Sequence, residues 1–328
     1  MDVAQQAGLL IGKVRSLQQQ LQQQVIGQET LIEDLITALL AGGHVLLEGL
    51  PGLGKTLLVR SLAAGLGLAF ARIQFTPDLM PSDVTGTQIV DDEGGRRTFR
   101  FQPGPIFAGL VLADEINRAT PKTQSALLEA MQEHSVTVAG TTHKLAAPFH
   151  VVATQNPIEL EGTFPLPEAQ LDRFLFRLEV TTPETEAMVR ILTATTGEPV
   201  AAGSTRLEAS ELLQLQQLVR SVLCGTHLVR FVAELLLATH PDRNGAADRT
   251  RRFVRYGASA RAGQAIILGA KAKALLAGRP AVVKTDIEAC LAPALGHRVL
   301  LGFEAEAERV SVAALLPEWR AAAERRSG

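Results

Sequence analysis

Apolar positions follow two different rhythms along this chain, and the change of rhythm divides it. Over residues 1–40, Leu9, Leu10, Val14, Leu17, Leu21 and Val25 return at helical spacing, which predicts helix. The polar run Gln18-Gln19-Gln20-Leu21-Gln22-Gln23-Gln24 inside this stretch reads as a solvated helix face. From residue 44 short apolar runs alternate with helical stretches. The runs His44–Leu47, Leu68–Phe75, Ile106–Ala113, Phe149–Thr154 and Phe174–Val180 predict five strands. Helical patterns fall at Thr56–Gly65 and Pro121–Glu133. Strands alternating with helices predict an α/β unit with a parallel sheet covered on both faces.

Two stretches read as hairpins added to that unit. Thr87–Val90 and Arg97–Phe101 flank the polar turn Asp91-Asp92-Glu93-Gly94-Gly95. Ser135–Val138 and Lys144–Ala146 flank Gly140-Thr141-Thr142 in the same way. Beyond Pro183 strand signals disappear and alanine and leucine dominate. Helices are predicted at 184–196, 207–223, 227–239, 259–277, 285–294 and 304–324. Pro199, Gly203 and Ser204 mark a linker near Gly197–Thr205, giving one domain at 1–198 and another at 199–328.

Composition narrows the classes. Lys and Arg number 32 and Asp and Glu 34, so the net charge of −2 creates no global field toward nucleic acid or an anionic membrane. Two cysteines, Cys224 and Cys290, are too few for a disulfide framework, which predicts a reducing, cytoplasmic setting. No apolar run is long enough to span a membrane. The first residues lack the basic and apolar regions of a secretory signal.

The chemistry begins at Gly49-Leu50-Pro51-Gly52-Leu53-Gly54-Lys55-Thr56, which fits G-x-x-x-x-G-K-[ST] between a predicted strand and a predicted helix. Glycines let backbone N–H groups crowd phosphate oxygens, and the helix start adds partial positive charge. In this pattern Lys55 reaches the β- and γ-phosphates and Thr56 binds Mg²⁺. About sixty residues on, the strand Gly109–Ala113 ends in Asp114-Glu115. In a phosphate-loop enzyme Asp114 holds Mg²⁺, directly or through water, and Glu115 polarises the attacking water. Asn156, at the end of Ala153-Thr154-Gln155-Asn156-Pro157, could orient water or meet the γ-phosphate, although Asn-Pro also starts ordinary turns. Asp172-Arg173 alone reads as a surface ion pair, but charge developing on the γ-phosphoryl calls for an arginine, often from a neighbouring molecule. Ser259 reads as an N-cap that places Arg261 in a helix's first turn, where a cation is unfavourable unless an anion faces it.

Together these residues resemble the AAA+ ATPases, and among them the MoxR family. The resemblance runs from Val25-Ile26-Gly27-Gln28-Glu29 to His297-Arg298. It rests on Glu48–Thr56, on Asp114-Glu115-Ile116-Asn117-Arg118-Ala119 and on Leu127–Met131. Ala153–Phe174 and Gly257–Ala262 complete it. It implies a P-loop AAA+ core whose five-stranded parallel sheet has the order 5-1-4-3-2, followed by a C-terminal all-α lid. It implies ATP and Mg²⁺ as ligands. Gly49, Pro51, Gly52, Leu53, Gly54, Lys55, Thr56 and Leu57 would surround the nucleotide, with Val25, Ile26 and Gly27 near the adenine. Thr56 and Asp114 would hold the metal. Glu115 would be the Walker B glutamate, Asn156 sensor 1, Arg173 the arginine finger toward a neighbour and Arg261 sensor 2. Residues 87–101 and 135–148 would project toward a ring pore. The chain departs from the family's Gly-Ala-Ser-Pro-Arg by carrying Ala260 in place of proline.

The function implied is chaperone-like remodelling of protein complexes by a homo-oligomeric, hexameric ring, with a separate von Willebrand A domain partner. A metal-insertion ATPase resembling the magnesium chelatase subunit is one alternative. A nucleic-acid motor is another, and a slowly hydrolysing nucleotide-gated scaffold a third. The arginines Arg243, Arg249, Arg251, Arg252 and Arg255 read as a solvated loop or subunit contact in preference to a nucleic-acid site.

Overall fold

The computed structural model describes residues 3–93, 96–157, 162–197 and 206–327. Helices α1 (Val3–Gln24) and α2 (Glu29–Leu40) lead into β1 (Val45–Glu48). Between them lies the turn holding Gly27, whose φ of 78° and close approach to Ala187 admit only glycine. After β1 come α3 (Lys55–Gly65), β2 (Phe70–Gln74) and α4 (Pro81–Thr85). The hairpin β3 (Gly86–Glu93) and β4 (Arg96–Pro103) precedes β5 (Leu110–Asp114) and α5 (Pro121–Glu133). A second hairpin, β6 (Ser135–Val138) and β7 (Thr141–Lys144), precedes β8 (His150–Gln155), α6 (Glu168–Leu171) and β9 (Phe176–Glu179).

Five of these strands form one parallel sheet in the order β2-β5-β8-β1-β9. Counted along the chain, that is the expected 5-1-4-3-2 read from the opposite edge. The central strands are continuous apolar runs because both faces are covered. Alternate residues serve different layers. Val45, Leu47, Leu112 and Val152 face α1, α2 and α3, and Leu46, Val111, Ala113 and Val151 face α5.

The rest is mostly helical: α7 (Thr185–Thr196), α8 (Ala209–Ser221), α9 (Thr226–Ala238), α10 (Asp248–Phe253), α11 (Ala260–Leu276), α12 (Lys284–Leu295), α13 (Phe303–Ala307) and α14 (Val312–Ser327). These helices close over a core that includes the fully buried Trp319, whose Nε1 donates to Thr250 Oγ1 at 2.9 Å. They are tied to the sheet layer by polar contacts. Lys273 reaches Glu33 at 2.7 Å and Asp34 at 2.9 Å, and Arg15 donates to the Leu276 carbonyl at 2.7 Å.

Several boundaries differ from the sequence pattern. The third sheet strand starts at Leu110, because Pro105–Phe107 form a 3-10 turn that the apolar run concealed. The second hairpin turns at Ala139-Gly140, whose φ values of 49° and 82° make a two-residue turn with positive φ at both positions. The helix expected at 304–324 is two helices separated by Arg309 at φ 54°. A short strand pair, β10 (Val254–Tyr256) with β11 (Leu300–Leu301), lies where strand signals were absent. Of the expected linker, 198–205 lie outside the described residues, as do Gly94 and Gly95 of the first hairpin's turn.

Candidate nucleotide site

A parallel sheet gathers its carboxyl ends at one edge, and β1, β5 and β8 end there in chemically distinctive segments. After β1 the loop Gly49–Gly54 turns into α3. Gly52 and Gly54 hold φ of 82° and 78°, and no atom lies within 4 Å of where a Cβ would stand. Gly49 is close-packed instead, its missing Cβ 2.6 Å from the Val180 carbonyl oxygen. The Lys55 ammonium folds over the loop and donates to the Gly49 carbonyl at 2.5 Å. The loop is joined to β8 by the Gly49 N–H donating to the Gln155 carbonyl at 3.4 Å, directly before the buried Asn156.

The acids at the end of β5 are held by neighbours on either side. Thr154 of β8 donates its hydroxyl to Asp114 Oδ1 at 2.6 Å, and the Thr154 Oγ1 in turn accepts the Glu115 N–H at 2.9 Å. On the other side Arg72 of β2 donates two N–H groups to Asp114 Oδ2, at 3.0 and 2.7 Å. Glu115 sits in the left-handed region at φ 55°, which turns its side chain away from the strand direction. Its carboxylate accepts from Gln74 at 2.7 Å and Arg118 at 2.9 Å.

A cavity of about 670 Å³ opens beside the loop. Val25, Ile26, Gly52, Leu53, Gly54 and Leu57, all expected at the nucleotide, line it. Its far wall comes from Pro183, Met188 and Ile191 at and beyond the start of α7. Gly27 flanks it through its contact with Ala187. Gly49, Pro51, Lys55, Thr56 and Asp114 are not on this wall; they belong to the loop and strand ends just described.

Arg173 and Arg261 are elsewhere. They share a second cavity, of about 280 Å³, with His134, Asp172 and Arg298. Arg261 lies 3.5 Å from Asp172 Oδ2, and Ser259 caps α11 by accepting the Arg261 N–H at 3.3 Å. As sensor 2, Arg261 is expected to meet a phosphate from the C-terminal domain. It faces the Arg173 loop instead, because α11 packs its first turn against the segment between α6 and β9.

Comparison with known proteins agrees with this geometry. Residues 44–176 match the family described as "ATPase family associated with various cellular activities (AAA)", and 246–319 match its AAA lid domain. The chain is 44% identical to "Chaperone MoxR1" of Mycobacterium tuberculosis over 88% of its own length and 75% of the relative's. It is 36% identical to "Protein MoxR" of Paracoccus denitrificans, covering 84% of this chain and 85% of that one. A crystal structure from Cytophaga hutchinsonii, provisionally named an ATPase, superposes with a TM-score of 0.88 at 38% identity, covering 96% and 95% of the two chains. This chain belongs to the MoxR family of AAA+ ATPases.

Within this MoxR-family chain several site neighbours carry no sequence signal of their own. Thr154 and Arg72 matter only because β8 and β2 flank β5. The glutamines Gln20, Gln23 and Gln24, read as a solvated face, line the first cavity together with residues of α7. The basic stretch resolves into local pairs. Arg243 meets Glu234 at 3.2 Å, Arg251 meets Asp248 at 3.0 Å, and Arg252 bonds Glu304 at 2.7 Å and also Glu308. Arg249 and Arg252 lie over Phe253, and Arg255 over Tyr256. No described helix is long and apolar enough to cross a membrane.

Proposed function

We propose that this protein hydrolyses ATP in a ring of its own copies and uses turnover for chaperone-like remodelling or maturation of protein complexes. A separate von Willebrand A domain protein is the partner, the ring is a hexamer and the setting is the cytoplasm. Two domains divide the work, 1–198 and 199–328. The observation that carries the reading is a separation. Loop, acids and Asn156 share one sheet edge, while Arg173 and Arg261 line a different cavity. Arginines that do not line their own chain's nucleotide cavity suit a site completed by the next subunit.

The residues fit an Mg²⁺-bound nucleoside triphosphate. The open backbone at Gly52 and Gly54 suits phosphate oxygens, and Lys55 is beside it. Thr56 and Asp114 offer the hard oxygens that Mg²⁺ takes. Both Asp114 oxygens already accept hydrogen bonds, which suits a carboxylate reaching the ion through water. When bound, the ion neutralises charge on the phosphate oxygens. Lys55 and the first N–H groups of α3 orient the phosphates. Glu115 leaves Arg118 and Gln74 to take up a proton from the attacking water, which Asn156 orients. Arg173 and Arg261 of the next subunit meet the charge that develops on the transferred group. The hairpins β3–β4 and β6–β7 are the moving parts, and the exposed pair Val90 and Phe99 gives the first an apolar face for a client.

The test is a trap pull-down. Glu115→Gln is purified from its native cells with ATP and Mg²⁺, with Lys55→Ala as control, and co-eluting proteins are identified by mass spectrometry. A von Willebrand A protein enriched only in the trap is the expected result. Enrichment of a tetrapyrrole-metallating enzyme would favour metal insertion, and enrichment of nucleic acid would favour a motor; either overturns the remodelling reading.

A further inference from the structure

The turn Asp172–Leu175 joins α6 to β9 and carries Arg173, half-buried on the wall of the second cavity. Arg298, three residues beyond α12, reaches this turn with all three guanidinium nitrogens. Nε donates to Asp172 Oδ1 at 2.7 Å. Nη2 donates to the backbone oxygens of Asp172, at 3.1 Å, and Phe174, at 2.5 Å. Nη1 donates to the carbonyls of Leu175, at 3.0 Å, and Ala294, at 2.7 Å. The side chain is only 4% exposed. Beside it the His297 Nε2–H donates to the Phe174 carbonyl at 3.0 Å. Arg177 of β9 donates to the Gly296 carbonyl at 3.1 Å.

The carbonyls of Asp172 and Phe174 stand on either side of Arg173. One terminal nitrogen holding both fixes the backbone at Arg173 from two directions. Burial of a guanidinium carries a large desolvation cost, offset here by five acceptors that include a carboxylate. Only arginine supplies a planar fork of that many donors; lysine has one ammonium on a flexible stem.

We propose that Arg298 is the positioning residue of Arg173: it ties the helical lid to the turn that presents this arginine to the neighbouring subunit. Arg298 acts through Arg173, its own guanidinium nitrogens being taken up by the turn and by the Ala294 carbonyl. The inference rests on the reading of Arg173 as a residue that works in trans.

Arg298→Lys is expected to lower turnover on the order of 10²-fold, as a displaced catalytic contact does, while its own ATP affinity stays unchanged. The deciding measurement mixes subunits. Lys55→Ala subunits do not turn over but retain Arg173 and Arg298. Mixed with them, Arg298→Lys subunits should regain turnover, because the Lys55→Ala neighbour supplies a well-placed arginine. Arg173→Ala mixed in the same way is the control. Recovery in the control but not in Arg298→Lys overturns the proposal, since the damage then lies in that subunit's own site or fold. Recovery in neither overturns the trans reading and this inference with it. Full turnover by Arg298→Lys alone also overturns it. If Arg298→Lys does not fold, Asp172→Asn replaces it, keeping the side chain's shape while removing the charge that Arg298 faces; the same outcomes then decide.

Discussion

One hydroxyl, that of Thr154, is shared by the Asp114 carboxylate and the Glu115 backbone N–H, so it ties the first acid to the backbone of the second. Thr154→Val keeps the shape and leaves the buried Asp114 carboxylate and the part-buried Glu115 N–H without that partner. The expected cost is about 1–3 kcal/mol in stability, with turnover falling more than ATP affinity. Denaturant melts and steady-state kinetics check this; unchanged turnover would show that the acids are held by Arg72 and the backbone alone. Three buried histidines act on the whole fold through protonation. Burial pushes His44 and His297 down to about 3 and His150 to about 4, from 6.5. Below pH 6.5 the unfolded chain takes up protons that the native state refuses. Stability therefore falls as pH drops from about 6.5 toward 3, by roughly 1.4 kcal/mol per pH unit for each histidine. The His150 bonds make this concrete: Nδ1 faces the Gly43 carbonyl and Nε2 faces the Gln216 amide, so a second ring proton has no acceptor. Replacing His150 with Gln should flatten the acid limb of a stability–pH curve; an unchanged slope would remove His150 from the account.

At the scale of elements, the two hairpins meet. Phe101 of β4 stacks on His143 of β7 with ring centroids 3.8 Å apart and planes 14° apart, and Phe107 packs edge-on against Phe101 at 5.5 Å. Such a pair contributes about 0.5–1.5 kcal/mol beyond area burial, enough to make two marginal hairpins move together. Phe101→Ala should speed amide hydrogen exchange in both β3–β4 and β6–β7 while β1, β5 and β8 keep their protection. Faster exchange in the first hairpin alone would mean that the two move independently.

At the scale of the whole molecule, the cavity beside the Gly49–Gly54 loop and the cavity lined by Arg173 and Arg261 are separate features of one chain. If each active site is shared, turnover per chain depends on assembly. Specific ATPase activity should fall on dilution, with the curve shifting to lower protein concentration when nucleotide is saturating. Arg173→Ala should bind ATP normally and turn it over slowly at every concentration. Turnover per chain that is constant on dilution well below the assembly midpoint, measured by light scattering in parallel, would place the whole site in one subunit.

Much of the fold and of the candidate site is legible in the sequence, for a physical reason. The loop Gly49–Thr56 and the pair Asp114-Glu115 are local: glycines at positive φ, a helix start and a strand end are written in neighbouring residues, so the chemistry and the strand that carries it coincide in sequence. The five buried strands are equally local, because burial on both faces demands continuous apolar runs. Boundaries such as Leu110 and Arg309 escaped because a 3-10 turn and a single left-handed residue do not interrupt an apolar pattern. What tertiary structure alone decided concerns partners far apart in the chain. The glutamines of α1 share a cavity wall with residues of α7, more than 150 positions on. Arg261 met Asp172 and not the phosphate loop because of where α11 docks. Arg298 holds residues more than a hundred positions away, and no local pattern can encode a contact whose two halves come together only on folding.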